Sequence, residues 1–155
     1  MVWTKGLRDI TLHDGFTPQG SAVEPVAAVS VGAGCLWVDV YDAVVTKGGR
    51  YVQGGGCTAV GVAGLVQGGG FGSFSKALAW PPPACWRPRS SPPMAWCGWS
   101  TPTREPDLFL RALKGGGGGT FGVVTRLTLQ THDLPTTFGA VRWTIQATSI
   151  RRSAI

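Results

Sequence analysis

The chain has 155 residues, a net charge of +6, 43% hydrophobic residues and only 14% charged ones. That balance excludes a wholly disordered chain, and the length suits one domain with a real core. Four cysteines are too few for a disulfide scaffold. No segment approaches the ~18 uninterrupted apolar residues of a membrane helix. Trp3, Thr4, Lys5, Arg8 and Asp9 break up any basic-then-apolar leader pattern, so the expected compartment is a reducing cytoplasm. The basic residues are scattered, with only Arg87/Arg89 and Arg151/Arg152 close together. Recognition of nucleic acid or of an anionic membrane needs them clustered on one face. The expectation is a solvated surface, with no nucleic acid and no membrane as partner.

In chain order, residues 26–31 are a short apolar run suited to a buried strand. Trp37, Val40, Tyr41, Val44 and Val45 fall at helical spacing, with Asp39, Asp42 and Lys47 on the other face and Gly48-Gly49 as a stop. Residues 50–53 read as a strand running into Gly54-Gly55-Gly56-Cys57-Thr58. After it, residues 59–67 are small and apolar, a tightly packed helix, and Gly68-Gly69-Gly70 follows. A short helix is predicted over 107–114, entered at Pro106 and ended by the glycines at 115–119. Residues 125–131 alternate, Leu127 and Leu129 against Arg126, Thr128 and Gln130, as do Val141, Trp143 and Ile145; both are predicted half-buried strands. His13 reads as a loop residue, His132 as following a strand, and Cys35 as packing. There is no repeat of solenoid period.

One tract stands apart. Residues 77–103 hold seven of the eleven prolines, four of the seven tryptophans, two of the four cysteines and no acid. A linker lacks the tryptophans and a packed domain lacks the proline density.

The glycine clusters are the candidates for chemistry. Glycines after a strand let backbone N–H groups approach a ligand with no Cβ between, and a following helix favours an anion there. The pattern Gly54-Gly55-Gly56-Cys57-Thr58 has that layout, and glycine count alone equally fits a plain strand-to-helix turn. A phosphate loop of the G-x-x-x-x-G-K-[ST] type is absent. One G-x-G-x-x-G match, Gly117 to Gly122, comes after a helix and before a strand, the reverse of the dinucleotide-binding order, and is coincidental. Cys85, Cys97, His13 and His132 lack the paired spacing of a zinc site, and no metal is expected.

Two stretches, VSVGAGCLWVDVYDAVVTKGGRYVQGGGCTAVGVAGLVQGGGFGSFSK and PDLFLRALKGGGGGTFGVVTRLTLQTHDLP, resemble flavoprotein oxidoreductases of the vanillyl-alcohol-oxidase type. The similarity is to the branch of berberine-bridge enzymes and oligosaccharide oxidases. It implies an α+β fold, part of a PCMH-type FAD-binding domain with a mixed sheet and flanking helices, over residues 1–138. Residues 139–155 would open a truncated substrate domain. FAD is the implied cofactor, and a small alcohol or sugar-type molecule is the implied substrate, oxidised by hydride transfer to the flavin. The resemblance makes Cys57 the residue that can bond to flavin C6. It puts Gly54, Gly55, Gly56, Thr58, Ala59, Val60, Gly61 and Gly64 along the flavin and its phosphates, with Gly68, Gly69 and Gly70 on the same side. Family members carry a flavin-linking His upstream of this region and a catalytic base downstream. Neither His13 nor His132 matches that His, so the catalytic residues are unknown and the chain by itself is expected to be inactive. The alternative is a non-enzymatic interaction module presenting the Pro-rich tract, but no P-x-x-P spacing occurs in it.

The family carries an apolar strand pair, of the type LLEAEVVTADG, where this chain has the Pro/Trp tract. Tryptophan and methionine each have a single codon, which partly fixes the underlying DNA. With synonymous codons chosen for residues 80–101, reading from the third base gives AAACLLEAEVVTADGVVRVVN. Two compensating frame changes, near Ala77 and near Pro102, account for this, and the tract is expected to be an irregular loop. The reread version exchanges one arginine for three acids, so much of the basic excess belongs to the tract. Sequencing the gene across codons 76–103 is expected to show these two changes. Peptide masses matching the Pro/Trp tract, together with an uninterrupted frame, would overturn a sequencing origin for it.

Overall fold

β-branched valines favour an extended chain, and residues 26–32 supply one of the two inner strands of a sheet. The computed structural model describes residues 3–17, 24–75, 116–118, 122–137 and 144. Its strands are β1 (Ile10–Phe16), β2 (Val26–Gly32), β3 (Arg50–Val52) and β4 (Arg126–Asp133), in the order β1-β2-β4-β3. Two helices, α1 (Trp37–Tyr41) and α2 (Val62–Gln67), flank β3 in the chain. The predicted helix beginning at Trp37 is α-helical for its first turn and π-helical over Asp42–Lys47, stopping at Gly48 as expected. The expected mixed sheet is antiparallel in every pairing among the described residues. The irregular tract at 77–103, the helix over 107–114 and the strand over 141–145 lie outside them.

One face of the sheet makes the core. Val29 pairs with Leu129 and Val31 with Leu127. They pack against Trp37, Val40 and Val44 from α1 and the π-helical turn, and against Val62 and Val66 from α2. A one-residue slip of β4 would turn both leucines out of this cluster, so the apolar pattern sets the register.

The other face is polar and partly closed. Thr128, predicted on the wet side of a half-buried strand, is only 1% exposed, and Ser30 opposite it 5%. Their hydroxyls hydrogen-bond at 2.8 Å, and His13 Nε2 lies 2.9 Å from the Ser30 hydroxyl. His13 is therefore a strand residue of β1 and not part of a loop. Asp14-Gly15 has the composition of a turn, but it forms a bulge: His13 pairs with Ala28 and Phe16 with Val26, so β1 carries an extra residue there. His132 likewise lies within β4, opposite Tyr51, and does not follow the strand.

The described basic side chains are largely committed to carboxylates. Arg8 pairs with Asp39, Arg50 with Asp14, Arg126 with Asp9 and Lys47 with Asp42. Exposed pairs of this kind add little stability, but they break up any basic face. Asp39 also accepts the Leu36 N–H that opens α1. The Arg8 guanidinium and that N–H hold its carboxyl below the usual range. No helix among the described residues is long and apolar enough to cross a membrane.

The Ser30–Thr128 pair gives a direct test. Ser30→Val strands the buried Thr128 hydroxyl and is expected to cost about 1–3 kcal/mol. The double variant Ser30→Val/Thr128→Val should recover the share owed to Thr128 in urea unfolding, while the His13 contact stays lost. A double variant as unstable as the sum of the two singles would contradict the pairing.

Candidate functional site

The chain leaves β3 at Val52 and passes directly under α1. Gly54 is buried there, and a Cβ on it would lie 2.5 Å from both the Trp37 ring and the Tyr41 hydroxyl. Trp37 is fully buried and stacks on Tyr41, with ring centroids 5.3 Å apart. The Tyr41 hydroxyl donates to the Gly55 carbonyl at 2.6 Å. Burial pushes that hydroxyl up to about 12, so it stays protonated, and a donor, at any ordinary pH.

Beyond Gly55 the loop is tied to α1 through its carbonyls. Val60 C=O accepts from the Trp37 N–H and Thr58 C=O from the Val38 N–H. These are first-turn amides of α1, which have no partner within the helix. Val62 N–H reaches the Cys35 carbonyl. The loop's own amides are left over: none from Gly55 to Ala59 donates to another described residue. Residues 56–60 are exposed, Cys57 among them. A Cβ at Gly56, Gly61 or Gly64 would meet nothing within 4 Å, and none of the three has a left-handed φ. Neither packing nor dihedral angle calls for glycine at these positions. A bare backbone beside an exposed thiol suits a flat ligand that must come close.

The cluster Gly68 to Gly70 has a different basis. Gly70 N–H bonds to the Leu65 carbonyl and Gly69 N–H to that of Val66, with φ of +96° at Gly69 and +64° at Gly70. This is a Schellman cap ending α2, and it uses those amides. The predicted helix over 59–67 begins only at Val62, with Gly61 as an extended N-cap. Cys57 therefore sits in the turn before α2 and not in its first turn. Cys35, by contrast, is fully buried in the core, as read from the sequence, and burial pushes its thiol up.

A second turn closes on the first. A Cβ at Gly72 would lie 2.2 Å from the Gly54 carbonyl oxygen. Beside this contact lies a cavity of ≈ 340 Å³ lined by Tyr41, Tyr51, Gly54 to Gly56, Ser73, Phe74, Leu134 and Pro135. Its size falls within the range of small-molecule sites.

No family model matches the chain. It is 36% identical over 146 residues to the FAD-linked oxidoreductase malF of Malbranchea aurantiaca, covering 91% of this chain and 24% of that relative. It is 39% identical over 130 residues to the FAD-linked oxidoreductase easE of Aspergillus fumigatus, covering 81% of this chain and 20% of that one. Among solved structures, the VAO-type flavoprotein MtVAO615 of Myceliophthora thermophila superposes with a TM-score of 0.72 at 31% identity, over 84% of this chain and 23% of its own.

The chain is similar over most of its length to FAD-linked oxidoreductases and to VAO-type flavoproteins. It spans about a quarter of the length of the curated relatives it matches. The glucooligosaccharide oxidase of Acremonium strictum, whose crystal structure revealed a novel flavinylation, matches with a TM-score of 0.67 at 25% identity, over 85% of this chain and 25% of that one. Within this VAO-type fold the sequence-predicted residues fall into two groups. Gly54 to Gly61 form one continuous strip, with Gly64 on α2 behind it. Gly68 to Gly70 cap the far end of α2. Sequence reasoning missed Tyr41 and Gln53 as parts of the site. Tyr41 looked like one more residue of an apolar helix face, and the only hint at Gln53 was a polar side chain between Val52 and Gly54.

The two kinds of glycine separate by mutation. Gly54→Ala drives a methyl into Trp37 and is expected to cost about 1–3 kcal/mol, as overpacking does. Gly56→Ala should leave stability unchanged or raise it by about 0.4–1 kcal/mol, by restricting the unfolded chain. Thermal unfolding of the two variants decides; equal losses would refute the distinction.

Proposed function

We propose that residues 1–138 are the part of a PCMH-type FAD-binding domain that lays the Gly54–Gly61 strip along the flavin, with residues 139–155 opening a substrate domain. The observation that carries this reading is the row of amides from Gly55 to Ala59 that donate to no other described residue, on a strip cleared of side chains at Gly56 and bordered by the exposed Cys57. Such amides suit the carbonyl and phosphate oxygens of FAD, which accept but do not donate. Bound FAD supplies the hydride acceptor, and the full-length protein oxidises an alcohol or sugar-type small molecule.

This chain's residues hold and orient. The loop carbonyls at Thr58 and Val60 are committed to α1, which leaves donors for the cofactor. Cys57, exposed beside the strip, would be the residue that bonds the flavin ring at C6. Both described cysteines are free thiols, which suits a reducing cytoplasm.

The test is flavin titration of the purified chain. Quenching of flavin fluorescence should saturate at one FAD per chain, and part of the yellow colour should survive acid precipitation. Cys57→Ser should keep the quenching and lose the acid-stable colour. A chain that stays colourless with excess FAD would overturn the reading.

A further inference from the structure

Gln53 is the polar side chain that the site has not yet explained. It is 1% exposed, between the buried Val52 and Gly54, and both ends of its amide are used. Oε1 accepts from the Tyr51 hydroxyl at 2.5 Å, and Nε2 donates to the Ser75 hydroxyl oxygen at 2.7 Å. That oxygen also accepts the Gly72 N–H at 2.8 Å. A serine oxygen has two lone pairs, so both donors are satisfied at once. The chain of bonds thus runs from β3 through Gln53 to the second glycine turn, just where Gly72 touches the Gly54 carbonyl. Tyr51 adds an edge-on ring contact to Phe74 in the same turn, with centroids 5.2 Å apart.

Nothing in the core asks for an amide here. An apolar residue after Val52 would be covered just as well and would leave no polar group to satisfy. What the amide adds is a hydrogen-bonded link between two loops that share no strand or helix pairing. On the other side, Tyr41 holds the Gly55 carbonyl. The first turn is thereby gripped from α1 and from the second turn together. The amides that donate to no other described residue, and Cys57, stand in the stretch from Gly55 to Ala59.

We infer that Gln53, acting through Ser75, is a positioning residue that locks the Gly70–Ser75 turn onto the Gly54–Gly56 turn and so holds the amides and thiol of the strip in register with the flavin. The inference rests on the flavin reading above and adds the device that rigidifies that site. A loop held in its binding geometry before the ligand arrives loses less conformational entropy on binding.

The test compares Gln53→Leu, Ser75→Ala, the double variant and Ser75→Thr in the 155-residue chain. The readouts are FAD titration and amide hydrogen exchange without flavin. Gln53→Leu and Ser75→Ala should each weaken FAD binding about tenfold. The double variant should lose less than the two single losses combined, because both singles remove the same Gln53–Ser75 bond. Ser75→Thr, which keeps the hydroxyl, should restore binding. Without flavin, exchange should accelerate at Gly72 and spread to residues 54–59. Should Gln53→Leu fail to fold, Ser75→Ala carries the comparison alone. Folded variants with wild-type affinity and wild-type exchange at residues 54–59 would overturn the role. If the unmutated chain binds no FAD, the flavin reading falls and exchange alone judges the lock: acceleration that spreads to residues 54–59 supports it, and acceleration confined to residues 72–75 refutes it.

Discussion

The close approach of Gly54 to Trp37 and Tyr41 is the constraint on which the site depends. With no side chain at position 54, the loop after β3 runs directly against α1. That contact lets Tyr41 reach the Gly55 carbonyl. It also brings the Thr58 and Val60 carbonyls to the amides that open α1. Each of these bonds consumes a carbonyl of the loop, and none consumes an amide. A loop held through its acceptors does not spend its donors on the same contacts. A methyl group at position 54 would lift the loop off α1 and release all of these bonds together.

The sheet beneath solves a different problem. Its core face is assembled from strands distant in sequence, and Leu127 and Leu129 must travel back to Val31 and Val29. Nothing local holds β4 between β2 and β3. Burial of the leucines on one face and the Ser30–Thr128 bond on the other both favour the same register. β3 is only three residues long and pairs with β4 at Val52–Thr131. The loop's starting point is therefore only as well placed as β4. The Gly54–Gly61 strip thus inherits its position from a long-range pairing, and its rigidity from local bonds.

What could be read from the sequence follows from how local each feature is. The valine run of β2, the helical spacing from Trp37 and the Leu127/Leu129 alternation are local patterns, and all three elements exist. β1 went unread because Asp14-Gly15 has the composition of a turn, and only pairing with β2 makes it a bulge. The wet face predicted at Thr128 is buried because Ser30, 98 positions away, lies against it. For the site, the motif around Cys57 was legible through its resemblance to a family. The Tyr41 and Gln53 bonds were not, because each joins segments whose proximity no spacing encodes.

The glycines show why composition could not decide between a turn and a binding loop. Gly54 and Gly72 are needed because backbone or ring atoms occupy the space a Cβ would take. Gly69 and Gly70 are needed because a helix ends there in a left-handed cap. Both needs are met inside the protein, and neither implies a ligand. Gly56 and Gly61 have open space and no left-handed angle, while glycine weakens the fold through the freedom it gives the unfolded chain. A residue that costs stability and relieves no internal clash must be explained from outside the fold. The same letter repeated through residues 54–72 thus carries three physical meanings, and only the third points outside the fold.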